Sequence, residues 1–498
     1  MKAWIRILLV LLALAMVLGA FVSCNLTETE TSWDEYETDE EDYDLDFPDV
    51  EKNDYDMEFS MYMMSVNNFP EFYVLEESNG SPMDESVYAR QEKIKRYLGV
   101  DMVLKTDSNT NKATYIDILK NAVTNRDGTL ELLLTHYNIG LPELISDGYL
   151  MDFSEMEGID LDAEYWDYEF MNSVELKGHN YLGFGDANIL FAYLVSFNKN
   201  MMDQYAGAEV FGGKDVYQMV RDYEWTLDKM ISIASLVYQD LNGDGKKDQG
   251  DKFGYAAAAW EPYMSFIHAS GMNIMEQDLA SGAYKVALNS DKYYARLDSL
   301  IGDLKALSES ECAYVDYRVK VTHAEDVLQL TSNRVLMSIY DTIHLPEYLN
   351  YNIEFGVLPL PMYDSAQKEY RALQYGGLMC VPLYVKNEAM VGETLEMYHY
   401  YSSSVTITFY EKILGRQVAD APDDTEMLNI IRAGACTDVG FTYQNTTTIA
   451  STTDWNTLGG CMVRLTNPAT TDGGLASWFA KHVQAQQNGF DNFYKKLK

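Results

Sequence analysis

Apolar runs of strand length alternate with segments of helical periodicity along much of the chain. Residues 57–66, 100–105 and 130–135 have the pattern of buried strands, and residues 84–98 and 112–123 between them carry apolar positions at helical spacing. Strands that alternate with helices pair in parallel and have both faces of the sheet covered. The pattern therefore predicts an α/β fold for this part of the chain.

The alternation continues in the second part of the chain with longer connections. Residues 178–186 and 189–202 are predicted as two successive strands, followed by a helix over 225–238 and a strand over 253–257. The remaining predicted strands are 334–340, 354–364 and 373–385, and the remaining predicted helices are 393–401, 426–433 and 475–497. The sequence has no internal repeat, which argues against an array of small repeated units.

Polar residues follow two of the predicted strands. Asn67 and Asn68 come after the first strand, and His136 and Tyr137 follow the apolar run that ends at residue 135. In parallel sheets, ligands bind in the crevice beyond the carboxyl ends of the strands. These four residues are candidates for a binding site, with an ordinary loop role as the alternative for each.

The segment 240–251, DLNGDGKKDQGD, has the spacing of a twelve-residue calcium loop. Such loops carry oxygen ligands at positions 1, 3, 5, 7, 9 and 12 and a glycine at position 6, where the chain turns sharply. Gly245 occupies the glycine position. The predicted ligands are Asp240, Asn242, Asp244, the carbonyl oxygen of Lys246, Asp248 and Asp251. The alternative interpretation is a solvated acidic turn.

The residues around this loop favour a structural calcium ion over a sensor. A calcium sensor uses a pair of helices that opens when the ion binds. Here a helical pattern precedes the loop, a strand-like run follows it, and no second loop of this kind is found. We therefore expect Ca²⁺ to clip the loop inside an α/β domain.

The first residues have the pattern of a processing signal. Lys2 and Arg6 form a charged region, residues 7–17 are apolar, and the segment 20–24 reads AFVSC. An apolar stretch this short is typical of a secretory signal, and its end resembles a bacterial lipobox. The resemblance implies cleavage of residues 1–23 and a lipid on Cys24. The alternative is an ordinary secreted protein with a free Cys24.

The net charge of −40 is concentrated in part near the N-terminus. Residues 24–56 are rich in Asp and Glu, and such a run repels itself and stays extended. It is predicted to be a tether, with a calcium-buffering or partner-binding tail as the alternative. An acidic chain also argues against a nucleic-acid partner, which requires clustered Lys and Arg.

Four further cysteines, at positions 312, 380, 436 and 461, are scattered and form no CxxC motif. Two disulfides are compatible with this number, and buried free thiols are an equally good interpretation. The spacing does not distinguish the two.

Several segments in order resemble the extracellular solute-binding lipoproteins of ABC importers, of the carbohydrate type in the maltose-binding protein family. These segments are VYARQEKIKRYLGVDMVL, ISDGYLMDFSEM, GHNYLGFGDANILFAYLVSFNKNMM, the stretch from YEWTLDK to the calcium loop, RVLMSIYDTIHL and FGVLPLPMYDSAQKEYRALQYGGLMCVP. A late block beginning FYEKILGRQ is similar to clostridial-type members. The likeness covers nearly the whole chain after residue 56.

The resemblance implies two α/β lobes joined by crossing strands, with the ligand in the cleft between them. It implies an N-terminal lobe made of residues 57–188 and 355–402. The C-terminal lobe is then made of residues 189–354 and 403–498 and contains the calcium loop.

The resemblance also suggests cleft positions, carried over by approximate register. Trp260, Glu261 and Tyr263 lie where the family has a sugar-contacting segment, and Asp186 lies near an acidic acceptor of sugar hydroxyls. Sugars present apolar faces and hydroxyl groups, which aromatic rings and carboxylates or amides bind. The full set of candidates is Asn68, His136, Tyr137, Asp186, Trp260, Glu261, Tyr263, Asp341, Tyr375 and Trp455. Trp166 and Trp225 are interpreted as core residues.

The resulting hypothesis is a monomeric, lipid-anchored receptor on the extracellular face of a bacterial membrane. It would capture a carbohydrate, expected to be an oligosaccharide, and deliver it to an ABC permease without catalysing a reaction. A surface glycoside hydrolase, which needs two carboxylates facing one bond, and a calcium-dependent adhesion protein are the alternatives. The chain contains no HExxH or GxSxG motif that would favour another enzyme class.

Overall fold

The computed structural model describes most of the chain after residue 44. The described ranges are 45–64, 70–107, 112–137, 140–188, 191–205, 212–259, 261–317, 330–351, 353–374, 376–409, 422–444 and 457–497. Residues from Phe47 onward form one compact unit, and the two larger of its described β-sheets define two lobes.

The sheet of the first lobe has four strands in the order β13-β3-β1-β2. β1 pairs in parallel with both β2 and β3, and β13 adds an antiparallel edge. The bounds are β1 Met57–Met64, β2 Val100–Asp107, β3 Leu132–Thr135 and β13 Leu378–Cys380. Every residue of β3 and β13 is buried, as expected for strands covered on both faces.

Five helices surround this sheet or continue its loops. Their bounds are α1 Pro82–Leu98, α2 Lys112–Asn125, α3 Leu141–Ser146, α4 Tyr168–Ser173 and α10 Glu388–Ile407. The ends of α1 follow from local chemistry. The hydroxyl of Ser81 accepts the N–H of Asp84 at the start of α1, and Gly99 takes a left-handed conformation (φ 65°) at its end.

The sheet of the second lobe has six strands in the order β11-β4-β10-β6-β5, with β9 also paired to β6. The bounds are β4 Tyr193–Asn198, β5 Tyr238–Gln239, β6 Lys252–Ala258, β9 Ala313–Asp316, β10 Val335–Asp341 and β11 Phe355–Pro359. β4, β10 and β11 are buried along their whole length. The mixed pairing combines antiparallel β11-β4-β10 with parallel β10-β6-β9.

Helices and short strands complete the second part of the chain. The helices are α5 Lys199–Tyr205, α6 Val216–Arg221, α7 Leu227–Ala234, α8 Glu261–Ala269, α9 Tyr294–Glu309, α11 Pro422–Ala433, α12 Val439–Thr442, α13 Cys461–Thr466 and α14 Leu475–Lys496. β7 Met275–Gln277 and β8 Tyr284–Val286 form a hairpin, and β12 Ala372–Leu373 pairs with β14 Ala435–Cys436. Among the described helices, none has the length and apolarity that a membrane span requires.

The chain passes between the lobes along neighbouring segments. It leaves the first lobe after Asn188, and it returns between Gln374 and β13. An antiparallel bridge joins Ala192 to Gln374, and the Gln374 side-chain oxygen accepts the N–H of Phe191 at 2.8 Å. The lobes are therefore linked where two chain segments run side by side.

Several sequence-based expectations about the elements need correction. The strand predicted over 189–202 is shorter, because β4 ends at Asn198 and α5 begins at Lys199. The return to the first lobe was placed at residue 355, but β11 pairs with β4 in the second sheet, so the return comes after Gln374. Residues 178–186 form isolated bridges and turns instead of a strand. The helix predicted over 225–238 is shorter, because α7 ends at Ala234 and the chain then enters β5.

The end of the predicted tether packs on the first lobe. Phe47 contacts the rings of Tyr97 and Tyr400 at centroid distances of 5.5 and 5.3 Å. The Tyr97 hydroxyl donates to the carbonyl oxygen of Val50 at 2.9 Å, and the Tyr55 hydroxyl donates to Glu393 at 2.8 Å. Residues 47–55 are thus part of the folded unit, although they lie within the acidic segment.

Candidate functional site

A cleft lies between the two lobes and consists of two adjoining cavities of about 420 and 650 Å³. Both cavities are lined by Asp167, Glu169, Arg432 and Ala435, so they form one continuous space. The residues at 167 and 169 belong to the first lobe, whereas those at 432 and 435 lie at the end of α11 and in β14. In two-lobe proteins in general, hinge motions can close a cleft of this kind around a ligand.

The lining combines aromatic, carboxylate and amide groups. The smaller cavity is lined mainly by the first lobe, including Tyr165, Trp166, Tyr168, Phe184, Asp186, Asn188 and Phe409. The larger cavity adds polar groups from both lobes, including Asn172, Asn273, Glu276, Gln277, Tyr284, Arg371, Asn429 and Asp438. Aromatic faces next to hydrogen-bonding groups are the surface that a sugar requires.

The first-lobe wall is held in place by a buried carboxylate of α10. Glu396 is 2% exposed and accepts hydrogen bonds from the Tyr165 hydroxyl at 2.5 Å and from the Trp166 indole N–H at 2.9 Å. It also accepts the backbone N–H of Asp160 at 3.2 Å. Burial raises the pKa of Glu396, while these donors favour its ionised form. One acidic side chain therefore fixes the loop that leads into the cleft.

Aromatic stacking continues the same wall. The Trp166 ring stacks on the His399 ring of α10 with a centroid distance of 3.7 Å. Burial lowers the pKa of His399 to about 3, so the ring is neutral at physiological pH and packs as an apolar group. Gly185 fits beside it because a Cβ at that position would lie 2.3 Å from the carbonyl oxygen of Tyr165.

Asp186 lines the cleft and makes a contact between the lobes. Its carboxylate accepts the Ser403 hydroxyl at 2.6 Å and the Arg432 guanidinium at 3.0 Å. Burial raises the pKa of this carboxyl, and the two donors oppose that rise. The ion pair joins a first-lobe loop to α11, so Asp186 helps to set the spacing of the cleft walls.

Tyr168 offers an open aromatic face at the cleft. It stands in the first turn of α4, next to the N-cap residue Asp167, and is 49% exposed. Trp166, two residues earlier, is 4% exposed and lies in the core, which confirms the interpretation made from the sequence. Trp225 is fully buried, as was also predicted.

The second-lobe wall is anchored by Asp438. This buried carboxylate accepts from His268 at 2.7 Å and from the backbone N–H groups of Ile274 and Gly440 at 2.9 and 2.6 Å. Burial alone would raise the pKa of Asp438, but His268 and the backbone donors outweigh it and hold the pKa below its ordinary value. Asp438 thereby ties α12 and β7 to α8.

Two predicted residues lie at the lobe interface and line neither cavity. His136 and Tyr137 follow β3 directly, as predicted. The Tyr137 ring is buried and contacts the Phe441 ring of α12 at a centroid distance of 4.4 Å. His136 contacts Tyr137 and lies near Gly376.

Two other predicted residues lie in the protein interior. Tyr263 is fully buried in α8, where its ring packs against Phe266 and Tyr317. Asp341 is 1% exposed at the end of β10 and is bonded to His344 at 2.5 Å. In the structure, both side chains serve packing or internal pairing.

Other candidates fall outside the described part of the chain. Asn67, Asn68, Trp260, Tyr375 and Trp455 are not among the described residues, and the side chain of Glu261 is not described. Asp167, Tyr168, Glu169 and Arg432, which line both or one of the cavities, were not predicted from the sequence. The available signal was the run EYWDYEF at 164–170, where acidic and aromatic residues alternate without the period of a strand or a helix.

The predicted calcium loop connects the antiparallel strands β5 and β6. Asp240 accepts the N–H groups of Gly243 and Gly245 at 2.6 and 2.8 Å, and both glycines have φ of 73°. The side-chain oxygens of Asn242, Asp244 and Asp248 each accept the N–H two residues later: Asp244, Lys246 and Gly250. These turns curl the loop around side chains whose oxygens are the ligand type that calcium prefers.

The last position of the loop differs from the others. Asp251 is 1% exposed, and its two oxygens accept the N–H groups of Leu241 and Asp248 at 3.2 Å each. Its buried carboxylate thus joins the start of the loop to its end.

A different group of three ligand-type side chains within 4.8 Å of one another is present among the described residues. It consists of Asp152, Glu155 and His179, and Asp152 and His179 form a hydrogen bond of 2.6 Å.

No family model and no curated protein sequence matches this chain. Solved structures match it over nearly their whole length. The GacH receptor of Streptomyces glaucescens, studied with acarbose, has a TM-score of 0.54 at 13% identity, over 89% of this chain and 99% of that chain. The lacto-N-biose-binding protein of Bifidobacterium longum has a TM-score of 0.54 at 12% identity, over 88% and 97%.

A third similar structure is the maltose/maltodextrin-binding domain MalE of Bdellovibrio bacteriovorus, bound to maltotriose. Its TM-score is 0.52 at 13% identity, over 88% of this chain and 99% of that chain. The chain therefore has the two-lobe α/β fold of the sugar-binding proteins of ABC transporters. The predicted fold class is confirmed.

Removing the Glu396 carboxylate should destabilise the wall of the cleft. In Glu396→Ala, the buried Tyr165 hydroxyl and Trp166 indole N–H lose their acceptor, and each orphaned buried donor costs about 1–3 kcal/mol. We expect the free energy of unfolding in urea at pH 7 to fall by roughly 2–5 kcal/mol. Glu396→Gln keeps one acceptor oxygen and is expected to lose less. Equal stability of the wild type and the alanine variant would contradict this role.

Proposed function

We propose that this protein is a solute-binding receptor that captures an extracellular carbohydrate, most simply an oligosaccharide, for uptake by an ABC permease. The observation that carries the proposal is the continuous cleft between the lobes, lined by Tyr168 and by carboxylate and amide groups. The similar structures named above were studied with saccharides or saccharide-like ligands. The two cavities together have room for more than one sugar ring.

The proposed mechanism is capture by closure. A ligand that contacts both walls binds the closed arrangement better than the open one, and that difference in affinity drives closure. Tyr168 would offer its ring to the apolar face of a sugar. Asn172 of the first lobe and Asn429 of the second would donate to, and accept from, hydroxyl groups on opposite sides. No chemical step is required, so we propose a receptor and not an enzyme.

Thermal unfolding of residues 47–498 with a panel of mono- and oligosaccharides tests the function. A ligand that binds only the folded state adds about 2.7 kcal/mol of stability at a hundredfold excess over Kd. We expect a selective rise in Tm, with the sugar recovered unaltered. Hydrolysis of the sugar would favour a glycoside hydrolase, and no shift with any sugar would remove the carbohydrate assignment.

A pair of tyrosine variants locates the binding surface. Tyr168→Ala removes the open ring at the cleft, and we expect Kd for the panel's best sugar to rise about tenfold, because a stacked aromatic contact contributes about 1 kcal/mol or more. Tyr351→Ala is the matched control, since Tyr351 is also exposed (40%) but does not line either cavity. Isothermal calorimetry measures both. Equal losses in the two variants would contradict the assignment of the cleft.

We also propose that Ca²⁺ binds the 240–251 loop and has a structural role. Asp240, Asn242, Asp244, Asp248 and Asp251, with the Lys246 carbonyl, would hold the ion, and the ion would brace the connection between β5 and β6 in the second lobe. The geometry of the loop supports this proposal through the turns that gather its oxygen atoms.

Calcium should therefore raise the melting temperature. We expect a higher Tm in excess Ca²⁺ than in a chelator, because the ion binds the folded loop. Asp244→Asn should reduce this difference, whereas Asp291→Asn, the same change at an exposed residue outside the loop, should preserve it. Identical Tm values with calcium and with chelator would count against the site.

We propose in addition that Cys24 carries a lipid that anchors the protein to the extracellular face of the membrane. The expected readout is fractionation of full-length chain expressed in a bacterium. The wild type should partition with membranes, and Cys24→Ser should be released. Cys436→Ser is the control, because Cys436 lies in the folded unit as a free thiol. Release of both proteins, or of neither, would contradict lipidation at Cys24.

A further inference from the structure

The described walls of the cleft carry more carboxylates than cations. The carboxylates are Glu164, Asp167, Glu169, Asp186, Glu276 and Asp438, and the cations are Arg90, Arg371 and Arg432. Charges that face a partly desolvated space act strongly on a ligand, because the local dielectric constant is below that of water. The balance of charge in these walls is therefore a candidate determinant of which sugars bind.

Each of the three cations already has partners within the protein. Arg432 pairs with Asp186 at 3.0 Å, and Arg371 donates to the Asn273 side-chain oxygen at 2.9 Å. Arg90 is 2% exposed and donates to the Ser402 hydroxyl and to two backbone carbonyl oxygens, at 2.7–2.8 Å. An anionic ligand would have to compete with these partners.

Asp167 also lines the cleft, and fewer hydrogen-bond donors compensate its negative charge than compensate that of Asp186. It lines both cavities, and among the described residues the hydrogen bond to its carboxylate comes from the backbone N–H of Phe170 at 2.9 Å. Burial raises the pKa of the Asp167 carboxyl, and the charge of Glu169 raises it further. The attraction of Arg432 does not cancel these effects. A positive group on a ligand would favour the ionised form of Asp167.

Two neighbours add to the attraction for a cation. Glu164 and Glu169 are exposed on either side of Asp167 in the sequence, and both line the smaller cavity. Tyr168 lies between Asp167 and Glu169 in the sequence, and its exposed ring lines the same cavity. An aromatic face attracts a cation placed over it, and an ammonium group has three N–H donors for carboxylates.

We propose that the cleft selects sugars by charge, preferring an amino sugar with a protonated amine, with Asp167 as its carboxylate partner. The proposal rests on the proposed function, since it names the class of sugar that the same cleft binds. A neutral sugar can donate a hydroxyl to the Asp167 carboxylate but lacks the ion pair that an ammonium group forms with it. Sugar acids face repulsion from Asp167 and its neighbours.

Calorimetry with matched monosaccharides tests the preference. The probes are glucosamine, galactosamine and mannosamine, their neutral counterparts glucose, galactose and mannose, and the sugar acids glucuronate and galacturonate. At pH 7 we expect the best amino sugar to bind about tenfold more tightly than its neutral counterpart, since its ammonium group adds a charge–charge attraction to the hydrogen bond that a neutral hydroxyl also donates to the carboxylate. Sugar acids should bind more weakly than both.

The variant Asp167→Asn removes the negative charge of this side chain and preserves its role in capping α4. Asparagine remains a good N-cap, so α4 keeps its capping oxygen. The ratio of the neutral to the amino-sugar Kd should fall about tenfold, and raising the salt concentration should lower it in the wild type as well. Asp162→Asn, the same change at an exposed residue of the preceding loop, should leave the ratio unchanged.

The outcomes separate this inference from the proposed function. A neutral sugar or a sugar acid that binds as tightly as its amino counterpart overturns the charge preference and leaves a carbohydrate receptor. An unchanged ratio in Asp167→Asn overturns the role of Asp167. Absence of binding in every arm, together with no response in the oligosaccharide panel, overturns both.

Discussion

The burial of central strands on both faces is the constraint on which this structure depends. β4, β10 and β11 are buried at every position, as are β3 and β13 in the other sheet. Such strands leave no face on which a polar group can meet a ligand, because an uncompensated polar group in the core costs several kcal/mol. Functional groups are therefore confined to strand ends and to the loops between the lobes. Asp341 is an example. It is the last residue of β10, and its buried carboxylate is compensated by a hydrogen bond with His344.

The cleft wall has little regular structure of its own and takes its order from α10. The segment 160–188 meets Glu396 and His399 through hydrogen bonds and stacking, and Gly392 lets the helix approach closely, because a Cβ there would lie 1.9 Å from the carbonyl oxygen of Glu157. A binding loop held by satisfied buried polar groups keeps its side chains in place before a ligand arrives. That preorganisation reduces the entropy lost on binding.

The sequence predicted the sheets better than the site, for physical reasons. Short, largely apolar runs such as LLLT and VLMSIYD are typical of strands buried on both faces. The structure contains these two runs as β3 and β10. The run 178–186 was predicted as a strand, but it pairs through isolated bridges at His179, Gly183 and Gly185 and forms no continuous ladder among the described residues. Tyr263 was predicted to contact a ligand, but its ring in α8 is buried and packs against Phe266 and Tyr317. Which face of a short helix is buried depends on distant residues.

Asp186 was predicted from the sequence as a cleft residue, whereas Asp167 was recognised only in the structure. The two carboxylates differ in the partners that balance their charge. Both are acidic residues on first-lobe loops, and both are partly or largely buried. Asp186 meets Arg432 from the opposite lobe, so its charge is balanced and it serves the spacing of the walls. This ion pair engages Arg432, a cation that lines both cavities. Asp167 lines the same cavities, and among the described residues the hydrogen bond to its carboxylate comes from a backbone N–H, that of Phe170, and not from a guanidinium group.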